Sequence, residues 1–283
     1  VMNFKQEFRQ NVMDYFVSEY LKGRTPNPCI ACNRYVKWEA LLKRSLAIGA
    51  DYIATGHYAR IEQLPNGRYA IKNSVTATKD QTYALYNLTQ EQLSRTLMPV
   101  GDYHKEKIRE IAEEAGLMVA HKKDSMEICF IPDKDYISWL GRRTALPGPG
   151  DFIFHGEVVG QHDGIYRYTV GQRRPGMIDG RKVYISHIDA ASNTIELALW
   201  EELFKTEVIA RNFNWLCDVP DGPVRASVRV RHTKWENPPC TAYVDGGIVR
   251  IICDEPVRAP AAGQSAVLYD GDRLLGGGFI VQE

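Results

Sequence analysis

The sequence predicts an α/β unit at its N-terminal end and a β-rich remainder that closes as a small barrel or sandwich. Three observations carry this. Up to about residue 130, helix-spaced apolar residues alternate with a short apolar strand that ends in Gly, the pattern of a parallel sheet covered by helices. At Pro147-Gly148-Pro149-Gly150-Asp151 the chain becomes rich in Gly and Pro, a hinge-like break. From Glu207 onward, segments alternate at strand spacing between Gly, Asp and Pro turns.

Taken in order, residues 1–4 read as the tail of a strand feeding a helix in which Phe8, Val12, Phe16 and Tyr20 recur at helical spacing, with Gly23 as a left-handed stop. The Pro-stiffened stretch Gly23-Arg24-Thr25-Pro26-Asn27-Pro28-Cys29-Ile30-Ala31-Cys32-Asn33 is expected to be a non-helical loop, since each Pro pushes the residue before it into extended backbone. Asn33 is expected to cap a second helix carrying Val36, Leu41, Leu42 and Leu46, stopped by Gly49. Tyr52-Ile53-Ala54-Thr55 is a short apolar strand ending at Gly56-His57, the end of a parallel strand where ligands bind. Residues 58–72 alternate around Asn66-Gly67, a hairpin signal. A helical stretch follows through Leu88, a clear helix covers residues 104–115, and Cys129 sits in an apolar, strand-like run at 126–132. One short helix at 136–140 then precedes strands at 152–154, 157–160, 182–189 and 194–199, and at 224–231, 240–244, 248–253, 265–269 and 274–281.

Composition excludes several classes. With 44% hydrophobic and 25% charged residues, the 283-residue chain has the material for two or three packed domains. No apolar run approaches the roughly 20 residues of a membrane-spanning helix and no signal-peptide pattern opens the chain, so a cytoplasmic protein with no membrane attachment is expected. Six cysteines are too sparse for a disulfide-stapled scaffold, which leaves thiol chemistry or metal binding open. The 35 basic and 35 acidic residues cancel, so composition neither demands nor excludes a nucleic-acid partner.

Cys29 and Cys32 lie at a helix start, where the positive end of the dipole favours thiolate, although Cys is often only a small buried hydrophobe. A Cys-x-x-Cys pair without a second one is a weak zinc signal, and a thiol redox role for it predicts reductase activity independent of Cys129. Taken alone, Cys129, Cys217, Cys240 and Cys253 read as core residues, and His57 as either a ligand or a strand cap. Arg173 and Arg174 suit phosphate or an exposed basic turn, and Trp215, Trp235 and Tyr243 suit base stacking or core.

The ordered set Gly23-Arg24-Thr25-Pro26-Asn27-Pro28 with Cys32-Asn33, Ala54-Thr55-Gly56-His57-Tyr58, Lys79-Asp80-Gln81, Ile128-Cys129-Phe130-Ile131, Gly171-Gln172-Arg173 and Pro239-Cys240-Thr241 resembles the tRNA-specific 2-thiouridylase family (MnmA, also TrmU). The resemblance covers nearly the whole chain. It implies the C-terminal part of an ATP-pyrophosphatase-type, Rossmann-like parallel-sheet domain over 1–134, a small mostly-β central domain over 135–204 and a C-terminal β-barrel over 205–283. The implied enzyme is a tRNA-uridine 2-sulfurtransferase that adenylates the C2 carbonyl of the wobble uridine with ATP and Mg2+. It then installs sulfur from a cysteine persulfide, loaded by a sulfur-relay protein or cysteine desulfurase. By motif, Cys129 is the persulfide carrier and Cys32 the nucleophile, which liberates sulfide or closes a disulfide with Cys129. Asn27, Pro28 and Cys29 meet the target base, and Gly56 meets the nucleotide. His57, Lys79, Asp80, Gln81, Arg231, His232 and Gln264 contact tRNA. Unstacked anticodon bases entering a pocket suit this chemistry.

Two departures bear on these expectations. The family's Ser-Gly-Gly-x-Asp-Ser phosphate loop is absent and its place is before Val1, so a fragment incomplete for ATP turnover is expected, with a non-catalytic tRNA-binding fragment as an alternative. Cys29 stands where many members carry Asp, which opens a second alternative in which Cys29, Cys32 and Cys129 ligate an iron–sulfur cluster.

Overall fold

The computed structural model describes residues 1–122, 128–174, 176–232 and 237–281. Residues 1–4 are not a strand but irregular chain leading into a continuous helix, α1, built from Lys5–Phe8, a π-helical stretch Arg9–Met13 and Asp14–Leu21. The second helix, α2, joins Pro28–Ala31, a π-helical stretch Cys32–Leu41 and Leu42–Ala47. Strand β1 (Ile53–Ala54) pairs in parallel with β4 (Thr96–Leu97), which follows helix α3 (Gln90–Ser94); Thr89 and Gln92 form a capping box at the start of α3. The helix expected through Leu88 is instead two single 3₁₀ turns, Ala77–Lys79 and Thr82–Ala84. Helix α4 (Lys105–Glu114) completes this unit, with the expected Gly stop at Gly116 in a left-handed conformation.

The hairpin β2 (Ala59–Gln63) and β3 (Tyr69–Asn73) turns at Gly67, as its Asn-Gly signal predicts, but its destination is not local. β3 pairs with the last strand, β14 (Arg273–Val281), through Lys72↔Arg273 and Ile71↔Leu274. The hairpin therefore ties the first unit to the C-terminal one.

That C-terminal unit is a closed antiparallel barrel. Strands β9 (Phe204–Trp215), β10 (Val224–Arg229), β11 (Pro239–Asp245), β12 (Ile248–Arg258) and β13 (Ser265–Asp270) run with β14 in the order β13-β10-β11-β12-β9-β14, and β13 pairs back onto β14. Closure removes the free edges a small sheet would expose. Between the two units lies helix α5 (Tyr136–Gly141) and a four-stranded sheet in the order β6-β5-β8-β7, made of β5 (Gly150–Phe154), β6 (Glu157–His162), β7 (Tyr184–Asp189) and β8 (Thr194–Ala198), with β5 and β8 parallel.

The cores are shared across these units. Trp38, Ile71, Tyr83 and Tyr86 pack in one cluster with Leu216, Val267, Tyr269 and Leu274 of the barrel, so burial that stabilises the first unit also fixes the barrel against it. A polar seam runs through this contact. Asp80 accepts from Ser74 N at 3.0 Å and from Thr82 Oγ1 at 2.5 Å, and pairs with Arg229 of β10 at 3.2 Å. Tyr83 donates to Ser265 O at 2.8 Å.

Candidate functional site

The Pro loop is held at both ends. Gly23, at φ 70°, ends α1 and donates to Tyr20 O at 3.1 Å. Thr25 N donates to Ala262 O at 3.0 Å, and Gln264 Nε2 donates to Thr25 O at 2.7 Å. Gly263, at φ +87°, lets the barrel turn approach so closely that an added Cβ would lie 3.0 Å from Arg24 Cβ and 3.1 Å from Thr25 N. Asn27, extended at φ −108°, accepts from Cys29 N at 3.1 Å and is the true N-cap of α2, with Pro28 in the first helical position. The helix thus starts six residues before the expected one. Pro at that position gives up only an amide that would be orphaned anyway. Asn33 is instead buried inside α2, where its Nδ2 donates to Ala84 O at 2.9 Å.

Cys29 and Cys32 therefore belong to the first turns of α2, Cys29 exposed and Cys32 half-buried. Cys129 comes from a separate segment. Residues 128–131 form a turn rather than a strand, closed by Ile131 N donating to Ile128 O at 2.9 Å, while the part of the expected run at 126–127 lies outside the described residues. The turn is anchored on α1. Phe130 meets Phe16 and Phe8 edge-on at 5.5 and 5.7 Å, and Ile131 is buried in the same cluster with Trp139 and Leu140. Between these anchors Cys129 points outward, exposed, and close enough to Cys29 and Cys32 to act on both electrostatically. All six cysteines are free thiols, so Cys32 and Cys129 are not joined in this state.

Although the Cys29 residue keeps exposed surface, the protein packed round its thiol pushes it up, Cys129 adds to this, and the Lys37 ammonium opposes it. Cys32 is likewise raised, by burial first, with Lys37 opposing and Cys129 and Cys29 adding. Desolvation works against the thiolate preference expected at the helix start, and Lys37 works for it. Among the described residues no group of three His, Cys, Asp or Glu side chains is arranged to hold a metal ion. Cys29, Cys32 and Cys129 lie within electrostatic reach of one another without forming such a group.

Lys37 is a residue that sequence reasoning missed. Its Nζ lies 3.3 Å from His57 Nε2, and His57 Nδ1 lies 2.9 Å from Thr55 Oγ1. An ammonium only donates, so His57 accepts at Nε2 and donates from Nδ1. His57 is only 8% exposed, with its ring tilted against Trp38 at 5.4 Å, and its pKa drops to about 3 by burial first and by Lys37 second. The ring is neutral at ordinary pH. Trp38 Nε1 in turn donates to Thr96 Oγ1 at 2.8 Å, fixing α2 to β4.

The other expected site residues fall into two groups. Gly56, at the C-terminal end of β1, is exposed, and an added Cβ there would meet nothing within 4 Å. His232 is exposed, with its ring edge-on to Tyr83 at 5.9 Å. Lys79 ends a 3₁₀ turn and is half-buried. In contrast, the Asp80 side chain is 6% exposed within the seam described above, and Gln81 Oε1 accepts from Tyr58 N at 2.9 Å. Arg231 Nη2 donates to Val170 O and Ala259 O at 2.8 and 2.6 Å, against Gly171. These side chains, with Gln264 and His57, are engaged inside the chain.

The sequence matches three family models in order: a tRNA methyl transferase HUP domain over residues 1–133, a tRNA methyl transferase PRC-barrel domain over 142–198 and an aminomethyltransferase beta-barrel domain over 205–280. It is 52% identical over 289 residues to the tRNA-specific 2-thiouridylase MnmA of Lachnoclostridium phytofermentans, covering 100% of this chain and 80% of that protein. It is 48% identical to the MnmA of Acetivibrio thermocellus and 46% identical to that of Clostridioides difficile, in each case over 99% of this chain and 79% of the relative. Among the described residues no helix is long and apolar enough to cross a membrane. With the HUP-type unit, the central sheet and the closed barrel in this order, and this level of identity across the whole chain, the protein belongs to the tRNA-specific 2-thiouridylase MnmA family.

Proposed function

We propose that this chain synthesises 2-thiouridine in tRNA, exchanging the C2 oxygen of the wobble uridine for sulfur. The observation that carries the reading is that Cys129 comes within electrostatic reach of Cys29 and Cys32, from segments about a hundred residues apart, all as free thiols and with the Lys37 ammonium acting on the latter two.

ATP, with Mg2+, is the co-substrate that turns the C2 oxygen into a leaving group, AMP. Gly56 offers such a nucleotide an unobstructed backbone at the strand end. Asn27, Pro28 and Cys29, on the rigidly docked loop, receive the unstacked base. Cys129 takes up a sulfur atom from a sulfur-relay protein or cysteine desulfurase and holds it as a persulfide, its exposure leaving it open to such a donor. The terminal sulfur bonds to C2 as AMP departs. Cys32 thiolate then attacks Cys129 Sγ. The bond between Sγ and the transferred sulfur breaks, its electron pair stays on the sulfur as the thiocarbonyl forms, and a Cys32–Cys129 disulfide results. An external thiol returns both cysteines to the reduced state.

For tRNA contact we assign exposed His232 and half-buried Lys79. Asp80, Gln81, Arg231, Gln264 and His57 act beneath that surface, holding the elements that present it. The test loads the chain with a cysteine desulfurase and cysteine, and reads persulfide by peptide mass spectrometry alongside tRNA binding. Cys129→Ser is expected to bind tRNA as the parent does while neither carrying the persulfide on this peptide nor thiolating tRNA. Normal thiolation by Cys129→Ser overturns the reading.

A further inference from the structure

We propose that the Lys37 ammonium is the counter-charge that holds Cys32 as a thiolate for its attack, and that His57 is a positioning residue that keeps the ammonium in place. The assignment rests on the sulfur-transfer function proposed above and deepens it.

The geometry behind it begins with helix pitch. In an ordinary α-helix, residues five apart lie on nearly opposite sides, so Lys37 would face away from Cys32. Here residues Cys32–Leu41 are π-helical, and the amide of Leu42 donates to Lys37 O, five residues back. In that wider turn, where the fifth residue closes the hydrogen bond, the pitch brings Lys37 round toward the side of Cys32, on whose thiol its charge acts. Such π segments recur at functional sites because they re-aim a side chain.

The second element is the tether. Lys37 Nζ rests 3.3 Å from His57 Nε2, and the ring is locked from behind by Thr55 Oγ1 at 2.9 Å and by Trp38. A neutral imidazole holds the ammonium by one hydrogen bond without cancelling its charge, leaving two further N–H donors. Among the described residues no carboxylate forms an ion pair with Lys37. The titratable groups acting on Cys32 are Lys37 and Cys29 of its own helix and Cys129 of the turn packed against α1. Lys37 alone among them favours the anion. The step it assists is loss of the Cys32 thiol proton to solvent, with the lone pair left on Sγ for attack on Cys129 Sγ.

The test is the rate of iodoacetamide alkylation at Cys32, read on its peptide by mass spectrometry across pH in the parent chain and in Lys37→Gln, Lys37→Arg and Lys37→Met. Gln keeps an N–H for His57 but removes the charge; Arg keeps the charge. Lys37→Gln is expected to move the Cys32 alkylation midpoint up by about one pH unit and to slow alkylation about tenfold near neutral pH, while Lys37→Arg stays within about twofold of the parent. A Lys37→Gln chain with the parent's pH profile overturns the assignment. If Lys37→Gln does not fold, Lys37→Met decides by the same criterion. Alkylation needs neither tRNA nor a sulfur donor, so this outcome separates cleanly from that of the Cys129→Ser experiment.

Discussion

Replacing His57 with Gln tests the buried neutral ring through its effect on stability. The neutral ring, with a pKa of about 3 against a usual 6.5, resists protonation while folded. Once unfolded, the chain takes up that proton as soon as pH falls below about 6.5. Stability tied to the neutral ring is therefore fully present above 6.5 and lost progressively as pH falls toward 3. At about pH 5, some 1.5 units below the unfolded value, the loss is about 2 kcal/mol, at about 1.4 kcal/mol per unit. Gln cannot titrate, and its amide oxygen accepts from Lys37 in place of Nε2. Urea unfolding of parent and variant at about pH 7.5 and about pH 5, followed by tryptophan fluorescence, gives both losses. Trp38, beside the ring, reports this region directly. The parent is expected to lose about 2 kcal/mol more than His57→Gln between the two conditions. Equal losses would refute the claim that His57 is buried neutral.

Other expectations follow from the same contacts. Asp80→Ala strands Arg229, only 18% exposed, without its carboxylate and removes the acceptor for Ser74 N; it should cost about 3–5 kcal/mol in urea unfolding. Gly263→Ala forces a side chain into a left-handed backbone against Arg24 and Thr25, so it should cost about 1–2 kcal/mol and lower the thiolation kcat while leaving tRNA affinity unchanged. Trp38→Ala empties a fully buried site and removes the donor to Thr96, a loss of about 3–5 kcal/mol measurable by the same unfolding assay.

Most individual elements were legible in the sequence because their signals are local. The Asn66-Gly67 turn, the Gly23 and Gly116 helix stops and the alternating strands of the barrel each reflect the preferences of a few neighbouring residues. The start of α2 was misread for a reason that is also local: two prolines suggest a loop, yet the second occupies the one helical position that suits it, behind an Asn that caps. The apolar content around Cys129 suggests a strand, but those side chains are buried against α1 and not in a sheet, so the backbone is free to turn. Desolvation at Cys29 and Cys32 opposes the expectation drawn from the helix start, since a position in sequence carries no information about how much protein surrounds a thiol.

The sequence by itself determined the family, the order of α/β unit, central sheet and barrel, and the identity of the thiols, since these depend on residue types and short-range spacing. Only the tertiary structure decided that the β2–β3 hairpin pairs with the start of β14, that Gln264 and Gly263 of the barrel hold the Pro loop, and that Cys129 comes within electrostatic reach of Cys29 and Cys32. It also decided the place of Lys37, which depends on an i+5 helical pitch and on a histidine twenty residues away. The physical reason is that long-range pairing is set by the burial of whole faces against one another, a property of the assembled cores that no local pattern encodes.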